Sequence, residues 1–441
     1  MADNRCPLVI LVIGSGGREY EIVRKISESH LVCTVYCVQG NVGMDMFPGV
    51  ERKNIRANDI SALLEFAKSN EIDLTIVGPE EPLAIGIVDA FEKAGLKIFG
   101  PRKSAARLET SKVFAKEFMV RHEIPTAKFI VYENAASCKN WIQKYSGAED
   151  FPLVIKMDEL AAGKGVKVCD DLQSAVDFLD EISADKFGNP KSKIIVEGHL
   201  PGEEASYIVL VDKKGNFLPL ASAQDHKRID DGDSGPNTGG MGAYSPAPVI
   251  TKALEKKIHD IVRRVIKGMR KEENPFFGFL YLGLMIQGEE VYVLEFNVRL
   301  GDPETQPILA RMKSSFVRLI LASMEGKLNK YTIEWDEAPA VCFVASAKGY
   351  GYLANPQKGD EIFGIKDAEK TGAIVSLAGV ALDKSGKLIT SGGRVLGVTA
   401  KGDFAGDFAG AKKKAREALE MISFDGMHYR SDITDRAINR Q

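Results

Sequence analysis

The sequence predicts a multidomain protein of the α/β and α+β classes, and three observations lead to this prediction. The chain has 441 residues, which corresponds to roughly three domains. The first hundred residues alternate strand and helix patterns, as expected for an N-terminal doubly wound parallel sheet. Longer α+β segments follow, and a C-terminal mixed α/β region comes last. We therefore expect domains at 1–107, 108–334 and 335–441.

Composition and charge exclude several classes of protein. Hydrophobic residues make up 44% of the chain and charged residues 27%, which is ordinary for a globular protein. Because 58 Lys and Arg nearly balance 61 Asp and Glu, nothing indicates a nucleic-acid partner. The six cysteines form no CxxC motif, which predicts reduced thiols packed in cores. The early apolar run at 8–13 is far shorter than the roughly 18 residues that span a bilayer, so we expect a cytoplasmic protein with no membrane partner.

The N-terminal elements follow one another with clear turn signals. PLVILVIG is an apolar run with β-branched residues and predicts the first strand. Further strand patterns lie at 32–38, in DLTIVGPEEPL and in LKIFGP, and helix patterns lie at 19–28, in SALLEFAKSN and at 85–94. This alternation predicts parallel strands joined by crossover helices.

The loop GSGGRE joins the first strand to the first helix and predicts a phosphate site. Backbone amides near Gly14, Gly16 and Gly17 would face the positive end of a helix dipole. The dinucleotide fingerprint needs glycine where this chain has Glu19, which disfavours a nicotinamide-dependent oxidoreductase. We expect a single phosphate with Arg18 as an extra contact. The alternative is a tight turn that needs glycine for packing.

The central region begins with a lysine-bearing helix and a glycine-rich flap. TSKVFAKEFMVRH predicts an amphipathic helix with Thr110 as its N-cap, and FPLVIKMDELAAGKGVKVC predicts a strand, a glycine loop and a strand. The loop lacks the Walker arrangement, so we interpret it as a flap that closes on phosphates. Lys112 and Lys156 would neutralise the nucleotide charge. A single lysine at a strand end is usually only solvated, so this interpretation depends on the combination.

Two later loops indicate further binding sites. KIIVEGHLPGEEAS predicts a strand and a turn that meet an adenine through the backbone while a carboxylate accepts ribose hydroxyl protons; the alternative is an exposed acidic loop. DGDSGPNTGGMGAYSP is so rich in glycine that we expect an ordered loop close to substrate, not a flexible tether. His226 lies beside Asp225 and Lys227; it could be a general base, but a surface or positioning residue is at least as good an interpretation.

The segment VYVLEFNVRLGDPE carries the strongest functional signal. A strand places residues i and i+2 on the same face, so the Glu295 carboxylate and the Asn297 amide oxygen converge. Mg²⁺ needs such hard oxygen ligands when it also bridges the phosphates of a nucleotide. Arg299 continues the spacing and would hold an anion beside the metal. The alternative is an ordinary buried strand that runs into a turn.

The remaining pattern completes the predicted architecture. A helix is expected after this segment, running to about Ala322. The C-terminal region predicts strands at 341–345 and 393–400 and a helix at 410–421.

Together these motifs resemble the phosphoribosylamine–glycine ligases (glycinamide ribonucleotide synthetases) of the ATP-grasp superfamily. The matching segments run in family order from about residue 9 to 440: GSGGRE, GNVG, TIVGPEEPL, IFGP, LETSK, AAGKGV, EGHLPGEEAS, QDHKR, GPNTGGMGAYSPAP, EFNVRLGDPETQP, SGGRVLGVTA and FDGMHYRSDI. The resemblance implies a central ATP-grasp domain with a mobile lid subdomain at about 128–200. It also implies a carbon–nitrogen ligase of purine biosynthesis, which joins glycine to 5-phosphoribosylamine through glycyl phosphate and releases ADP and phosphate.

The resemblance also implies roles for particular residues. Glu295 and Asn297 would bind Mg²⁺ or Mn²⁺, and Arg299 and Lys156 would stabilise the transferred phosphoryl group. Glu197 and Leu200 would meet the adenine through the backbone, and Glu204 the ribose. The implied ATP-binding set is Lys112, Lys156, Ala161, Gly163, Lys164, Gly165, Val166, Glu197, Leu200 and Glu204. The implied substrate-binding set is Gly16, Gly17, Arg18, Asn41, Asp225, Lys227, Pro236, Asn237, Thr238, Gly239, Gly240, Met241, Arg299 and Asp302.

The resemblance further implies that the partners are small molecules, namely ATP, glycine and 5-phosphoribosylamine, and that the protein is a monomer or a weak homodimer. No synthase or transformylase segment is appended, so we expect a single activity.

The chain departs from the family pattern at a few positions. Tyr20 stands where the family usually has histidine, and Met157 and Glu159 replace small residues in the flap. Because Glu159 stands in place of a glycine, we expect the flap conformation or the ATP affinity to differ. Two other functions remain open: another ATP-dependent carboxylate–amine ligase with a different amine or acid, and a nucleotide-binding regulatory protein without turnover.

Overall fold

The structure is a computed structural model that describes residues 7–159, 165–186 and 189–440. It confirms the predicted fold class, because a parallel N-terminal sheet is followed by units in which helices cover antiparallel sheets.

The N-terminal unit is the predicted doubly wound sheet. Its elements are β1 (Leu8–Ile13), α1 (Gly17–Ser27), β2 (Val32–Val38), β3 (Val50–Lys53), α2 (Ile60–Ser69), β4 (Leu74–Val77), α3 (Glu80–Ile85), α4 (Ile87–Lys93) and β5 (Ile98–Phe99). The strand order is β3-β2-β1-β4-β5 and every pairing is parallel. Ile10 and Leu11 of β1 are both fully buried, on opposite faces of the strand, because other elements cover both faces of a parallel sheet.

The next unit contains the predicted lid. Its elements are α5 (Lys103–Thr110), α6 (Lys112–Arg121), β6 (Phe129–Tyr132), α7 (Ala135–Tyr145), β7 (Leu153–Met157), β8 (Val166–Cys169), α8 (Leu172–Ser183) and β9 (Ile194–Gly198). Strands β6-β9-β7-β8 form an antiparallel sheet that, with α7 and α8, encloses a small hydrophobic core of its own. This sheet with α7 and α8, from Phe129 to Gly198, lies within the lid range predicted at 128–200, whereas α5 and α6 lie outside it; the mobility of the lid stays a prediction.

The predicted N-cap of α6 is wrong by one residue. Thr110 is the last residue of α5, and Ser111 caps α6 by accepting a hydrogen bond from the Phe114 backbone N–H at 3.1 Å. Both residue types cap helices well, so composition alone does not separate them.

The central sheet carries the predicted acid and amide pair. The elements of this region are β10 (Glu203–Val211), β11 (Phe217–Pro219), β12 (Gln224–Asp225), β13 (Arg228–Asp230), β14 (Ser234–Asn237), β15 (Gly242–Ser245), α9 (Lys252–Lys271), β16 (Gly278–Gln287), β17 (Glu290–Asn297), α10 (Thr305–Arg311) and α11 (Phe316–Met324). The antiparallel order is β11-β10-β16-β17. The single helix predicted to run to Ala322 is wrong: α10 ends, Met312 pairs with Trp335, and Ser315 caps a new helix.

The C-terminal elements match the predicted strands and helix. They are β18 (Ala340–Ser346), α12 (Ile365–Lys370), β19 (Ile374–Leu377), β20 (Val380–Leu382), β21 (Leu388–Thr390), β22 (Arg394–Lys401), α13 (Phe408–Leu419) and α14 (Asp435–Ile438). Short 3₁₀ helices lie at Val42–Met46, Ala148–Asp150, Asp231–Asp233 and Leu328–Lys330. Strand β15 pairs with β18 in the sheet β12-β15-β18-β22-β19, so segments on either side of the boundary predicted near 335 share one sheet.

Two expectations from composition can be compared with the described residues. Within them, no helix is both long enough and apolar enough to cross a membrane. The five cysteines in this part of the chain are free thiols, and four of them are buried as predicted. Cys33 is exposed, which the prediction of core packing missed.

Candidate active site

A cleft of about 690 Å³ lies where the units of the chain meet. Its lining includes Arg18 from the N-terminal unit, Lys156 from the lid, Glu295 from the central sheet and Arg394 from the C-terminal region. Arg18 lies at the start of helix α1, and the other three lie on strands of three different sheets, so the cleft depends on the tertiary arrangement.

A β-bulge turns the functional end of β17 toward the cleft. Val291 and Val293 face the core, and strict alternation would bury residue 295 with them. The pairing with β16 shifts by one residue at Leu294, because Gly283 pairs with Glu295 but Leu284 pairs with Val293. Glu295 and Asn297 therefore line the cleft while Phe296 is buried. The sequence itself indicates this bulge. Apolar residues stand first at the odd positions 291 and 293 and then at the even positions 294 and 296, so the alternation changes by one residue.

Three lysines surround the Glu295 carboxylate. Burial opposes its ionisation, but Lys227, Lys156 and Lys112 together lower its pKa below the usual value. Lys227 Nζ lies 3.9 Å from Glu295 Oε1 and 2.8 Å from Glu204 Oε2. Burial works against the charge of Lys227, yet these carboxylates raise its pKa well above the ordinary value, so it stays cationic.

Arg299 links Asn297 to the buried acid Glu109 and to the half-buried acid Glu80. Its Nη2 donates to Asn297 Oδ1 at 3.1 Å and lies 2.8 Å from Glu109 Oε1, and its Nε donates to Glu80 Oε2 at 3.3 Å. Burial disfavours its charge, but Glu109 and Glu80 outweigh that effect and raise its pKa. The guanidinium is thus held in place as a permanent cation at the floor of the cleft.

Glu197 shares its carboxylate between two buried lysines. Lys116 Nζ lies 2.9 Å from Glu197 Oε2, and Lys156 Nζ lies 2.9 Å from Glu197 Oε1. Burial, reinforced by the charge of Lys156, lowers the pKa of Lys116 to about 8. Lys116 was missed by the sequence analysis, although it stands one helical turn after Lys112 on α6. Lys112 itself donates to the Glu159 carbonyl at 2.6 Å, and burial lowers its pKa.

Arg394 is a second residue that the sequence analysis missed. Its Nη1 donates to the Gly239 and Asp302 carbonyls, each at 2.6 Å, and its Nη2 donates to Asp302 Oδ2 at 2.9 Å. It thereby joins the glycine-rich loop to the GDPE turn. The motif SGGR was visible in the sequence, but nothing local connects it with residues so distant in the chain.

The predicted site residues divide into three groups. Those that line the cleft are Arg18, Lys112, Lys156, Gly165, Val166, Glu197, Leu200, Glu204, Asp225, Lys227, Asn237, Thr238, Gly239, Glu295, Asn297, Arg299 and Asp302. Those described but outside its lining are Gly16, Gly17, Asn41, Pro236, Gly240 and Met241. Ala161, Gly163 and Lys164 lie outside the described residues.

The GSGGRE loop is closed by its own glutamate. The Gly16 N–H donates to Glu19 Oε2 at 2.8 Å, and Gly14 has a φ of 126°, which favours glycine. A Cβ at Gly14 would lie 2.4 Å from the Glu19 side chain. The Asn41 amide group is also used internally, because it donates to the carbonyls of Ser15 and Leu377 at 2.9 Å. This geometry accords with the tight-turn alternative, and phosphate binding by this loop stays a prediction.

His226 is a buried neutral side chain, so its interpretation as a surface residue is wrong. Burial, with the nearby charges of Arg430 and Arg436, lowers its pKa to about 3. Its Nδ1 is buried and has no hydrogen-bond partner in the described part of the chain. His226 lies between β12 and β13 and is absent from the cleft lining, unlike Asp225 and Lys227 on either side of it.

Comparison with known families accounts for this architecture. Residues 8–109, 110–305 and 340–436 match the N domain, the ATP-grasp (A) domain and the C domain of phosphoribosylglycinamide synthetase. The chain belongs to the phosphoribosylglycinamide synthetase family. The resemblance noted from the motifs is therefore confirmed, and so is the ATP-grasp fold of the central domain.

Similar proteins cover the chain from end to end. Phosphoribosylamine–glycine ligase from Neisseria meningitidis serogroup B is 48% identical over 98% of this chain and 100% of its own length. The Haemophilus influenzae protein of the same name is 47% identical over 98% of this chain and 99% of its own length. A crystal structure of phosphoribosylamine–glycine ligase from Thermotoga maritima superposes with a TM-score of 0.81 and 34% identity, covering 97% of this chain and 100% of that one.

The fold extends to more distant proteins. The biotin carboxylase domain of 2-oxoglutarate carboxylase from Hydrogenobacter thermophilus has a TM-score of 0.71 at 15% identity, covering 96% of this chain and 92% of that one. At this identity the likeness concerns the fold alone.

Each residue that departs from the family pattern makes identifiable contacts in the structure. Tyr20 is buried edge-to-face against Phe47, with ring centroids 5.1 Å apart. Met157 is fully buried in the lid core. The Glu159 carboxylate bonds to the Ser192 hydroxyl and accepts from the Asn189 N–H at 3.3 Å, so it ties the base of the flap to a neighbouring lid loop. The effect of Glu159 on ATP affinity stays a prediction.

Proposed function

We propose that this protein joins glycine to 5-phosphoribosylamine with ATP, giving glycinamide ribonucleotide, ADP and phosphate in purine biosynthesis. The observation that carries the proposal is the oxygen pair of Glu295 and Asn297 in one cleft with Lys112, Lys156 and other cations. Relatives named phosphoribosylamine–glycine ligase, 47–48% identical over nearly the whole chain, specify the substrates.

The donor chemistry of Glu295 and Asn297 suits a divalent cation, Mg²⁺ or Mn²⁺. Glu295 and Asn297 supply hard oxygen donors from one face of β17, and the lowered pKa of Glu295 keeps it ionised. When bound there, the cation would neutralise charge on the ATP phosphates. Asn297 Oδ1 accepts a hydrogen bond from Arg299, which orients the amide oxygen before any ligand arrives.

The phosphoryl step needs positioning and charge neutralisation more than proton transfer. A carboxylate is a poor electrophile, so an oxygen of glycine first attacks the γ-phosphorus of ATP, and ADP leaves. We assign Arg299 and Lys156 to stabilise this transfer. Lys112 and the flap residues Gly165 and Val166 would hold the phosphates from the other side.

The other assignments follow the cleft outward. Backbone groups of Glu197 and Leu200 would meet the adenine and Glu204 the ribose, while Asp225, Lys227 and the 236–241 loop, with Asp302, would shape the glycine and amine pockets. For the sugar phosphate we keep Gly16, Gly17, Arg18 and Asn41, of which only Arg18 lines the cleft; binding at Gly16 requires the phosphate to replace the Glu19 carboxylate at the Gly16 N–H. We also propose a cytoplasmic monomer or weak homodimer, with domain boundaries near 107 and 335.

One assay tests this proposal. The protein is incubated with ATP, Mg²⁺, glycine and freshly prepared phosphoribosylamine, and ADP and glycinamide ribonucleotide are measured. ADP release that ignores both glycine and the sugar amine would indicate a different substrate pair, and ATP binding without turnover would indicate a regulatory protein.

A variant tests the metal site. Glu295→Ala should lower turnover by at least about 100-fold, the scale of losing a charge-stabilising group. Glu290→Ala is the matched control, because Glu290 lies on the same strand, is exposed and pairs with Lys257 at 2.9 Å outside the cleft. Near-normal turnover of Glu295→Ala would remove Glu295 from the metal site.

A further inference from the structure

We infer that Asp225 is the catalytic residue that accepts the proton lost by the sugar amine when this amine attacks the activated glycine. This inference rests on the proposed function and concerns the second step of that reaction. The phosphoryl step needs no base, but a nitrogen that forms a new bond to carbon must release a proton.

Asp225 is the unpaired acid of the cleft. It ends β12 opposite Ala243, lines the cleft, and is only 8% exposed. Each other acidic side chain in the described lining has a partner: for example, Glu204 pairs with Lys227, and Asp302 pairs with Arg394. Asp225 alone among them accepts no hydrogen bond and forms no ion pair with any described residue. Burying a carboxylate without a hydrogen-bond partner costs free energy, so a ligand bound in the cleft would supply the missing hydrogen-bond donor.

The charges around Asp225 suit a group that gains and loses a proton. Burial raises its pKa, Lys227 opposes this rise, and Glu304, Glu204 and Glu295 reinforce it, so the pKa reaches about 7. These groups come from the segment after β12, the turn before α10, and strands β10 and β17. A general base works best when its pKa lies near the working pH.

Neighbouring groups are unsuitable for this task. Lys227 has a strongly raised pKa and keeps its proton, so it is not a base. Glu304 Oε1 accepts hydrogen bonds from Ser206 at 2.9 Å and from Tyr281 at 2.8 Å, which fixes this carboxylate by two hydroxyl donors where Asp225 has none. His226 is buried outside the cleft lining.

The proposed step balances in atoms and charge. The amine nitrogen gives its lone pair to the carbonyl carbon of glycyl phosphate, and a C–N bond forms. The nitrogen then loses one proton to the Asp225 carboxylate. The C–O bond to phosphate breaks, and its electron pair leaves with the phosphate oxygen. Asp225 finally releases the proton to solvent, and no oxidant or reductant is needed.

Two assays separate the steps. Hydroxylamine is a small neutral nucleophile that traps an acyl phosphate as a hydroxamate, so ATP, glycine and hydroxylamine report the first step without the sugar amine. Because Asp225 also borders the proposed glycine pocket, Asp225→Asn is assayed at saturating glycine, and its loss of hydroxamate and ADP formation should be much smaller than its loss of transfer. Its product formation from phosphoribosylamine should fall at least about 100-fold, within the usual range for loss of a general base.

A second variant and a control complete the design. Asp225→Ala should regain sugar-amine transfer as formate is added, because a small carboxylate can occupy the vacated space; a merely structural role would show no such rescue. Asp230→Asn is the matched control, since Asp230 lies outside the cleft lining and bonds to the Tyr352 hydroxyl. It should behave as the native protein in both assays.

The outcomes are distinct. Transfer that survives in Asp225→Asn overturns the inference. Loss of both hydroxamate and transfer, with a raised KM for glycine, also overturns it, because Asp225 would then bind the ammonium of glycine. A native protein that forms neither product overturns the proposed function and this inference with it. Selective loss of transfer, with formate rescue, supports the assignment.

Discussion

Replacing Glu197 by glutamine removes a charge that two buried lysines share. The side chains of Lys116 and Glu197 are each 2% exposed, and that of Lys156 is 9% exposed. Glu197 and Lys156 lie on lid strands β9 and β7, whereas Lys116 lies on α6 outside the lid. The carboxylate therefore connects the lid to the body of the ATP-grasp domain.

The expected magnitude follows from these distances. At 2.9 Å and an effective dielectric constant of about 20, each pair attracts by about 6 kcal/mol, and the cost of burying the charges offsets much of this. Removing one partner of a buried pair typically costs about 3–5 kcal/mol, because the other charge is left uncompensated. Burial already lowers the pKa of Lys116 to about 8, and loss of Glu197 should lower it further.

Urea unfolding of the lid measures this cost. Trp141 lies on lid helix α7, so its fluorescence in a Trp335→Phe background reports on the lid. Glu197→Gln should lower the free energy of unfolding by about 3–5 kcal/mol. The double variant Glu197→Gln with Lys116→Met should recover at least half of the loss, since it removes one unpaired ammonium group.

An exposed pair in the same unit provides the control. Lys139 and Asp180 lie 2.7 Å apart on the lid surface, so Asp180→Asn should cost less than about 1 kcal/mol. If Glu197→Gln costs no more than Asp180→Asn, the argument from burial is refuted.

Two further predictions concern Arg394 and His226. Arg394→Ala removes the hydrogen bonds to Gly239 and Asp302, so kcat/KM for phosphoribosylamine should fall about 10- to 100-fold in steady-state assays; a change below twofold would contradict this. His226 has a pKa of about 3 when folded and about 6.5 when unfolded, so the unfolded chain binds the extra proton between these values and stability falls as the pH is lowered below about 6.5. The stability advantage of the native protein over His226→Asn should shrink by up to about 1.4 kcal/mol per pH unit between pH 6 and 4, measured by urea unfolding, and a pH-independent difference would contradict it.

Much of the architecture was predictable because local sequence patterns specify the helices and strands. Alternating strand and helix signals predicted the parallel N-terminal sheet, and the i, i+2 spacing predicted that Glu295 and Asn297 share a face. Helix ends were less certain, since Thr110 and Ser111 both suit an N-cap and only the backbone geometry selected Ser111.

Local sequence patterns did not indicate which face of strand β17 lines the cleft. The bulge at Leu294, not the spacing itself, turns Glu295 toward the cleft. The same limit applies to GSGGRE, where the Glu19 carboxylate accepts from the Gly16 amide, a group that the sequence analysis assigned to a phosphate. Glycine content alone does not distinguish these two uses.

The sequence by itself determined the period of each element, the family and the chemistry of the residues available for binding. Only the tertiary structure decided that Arg394 reaches Gly239, that Glu197 bridges Lys116 and Lys156, and that Asp225 stays unpaired in the cleft. The physical reason is that backbone propensity and hydrophobic periodicity act over a few neighbouring residues. Burial and ion pairing, in contrast, depend on which distant segments pack together.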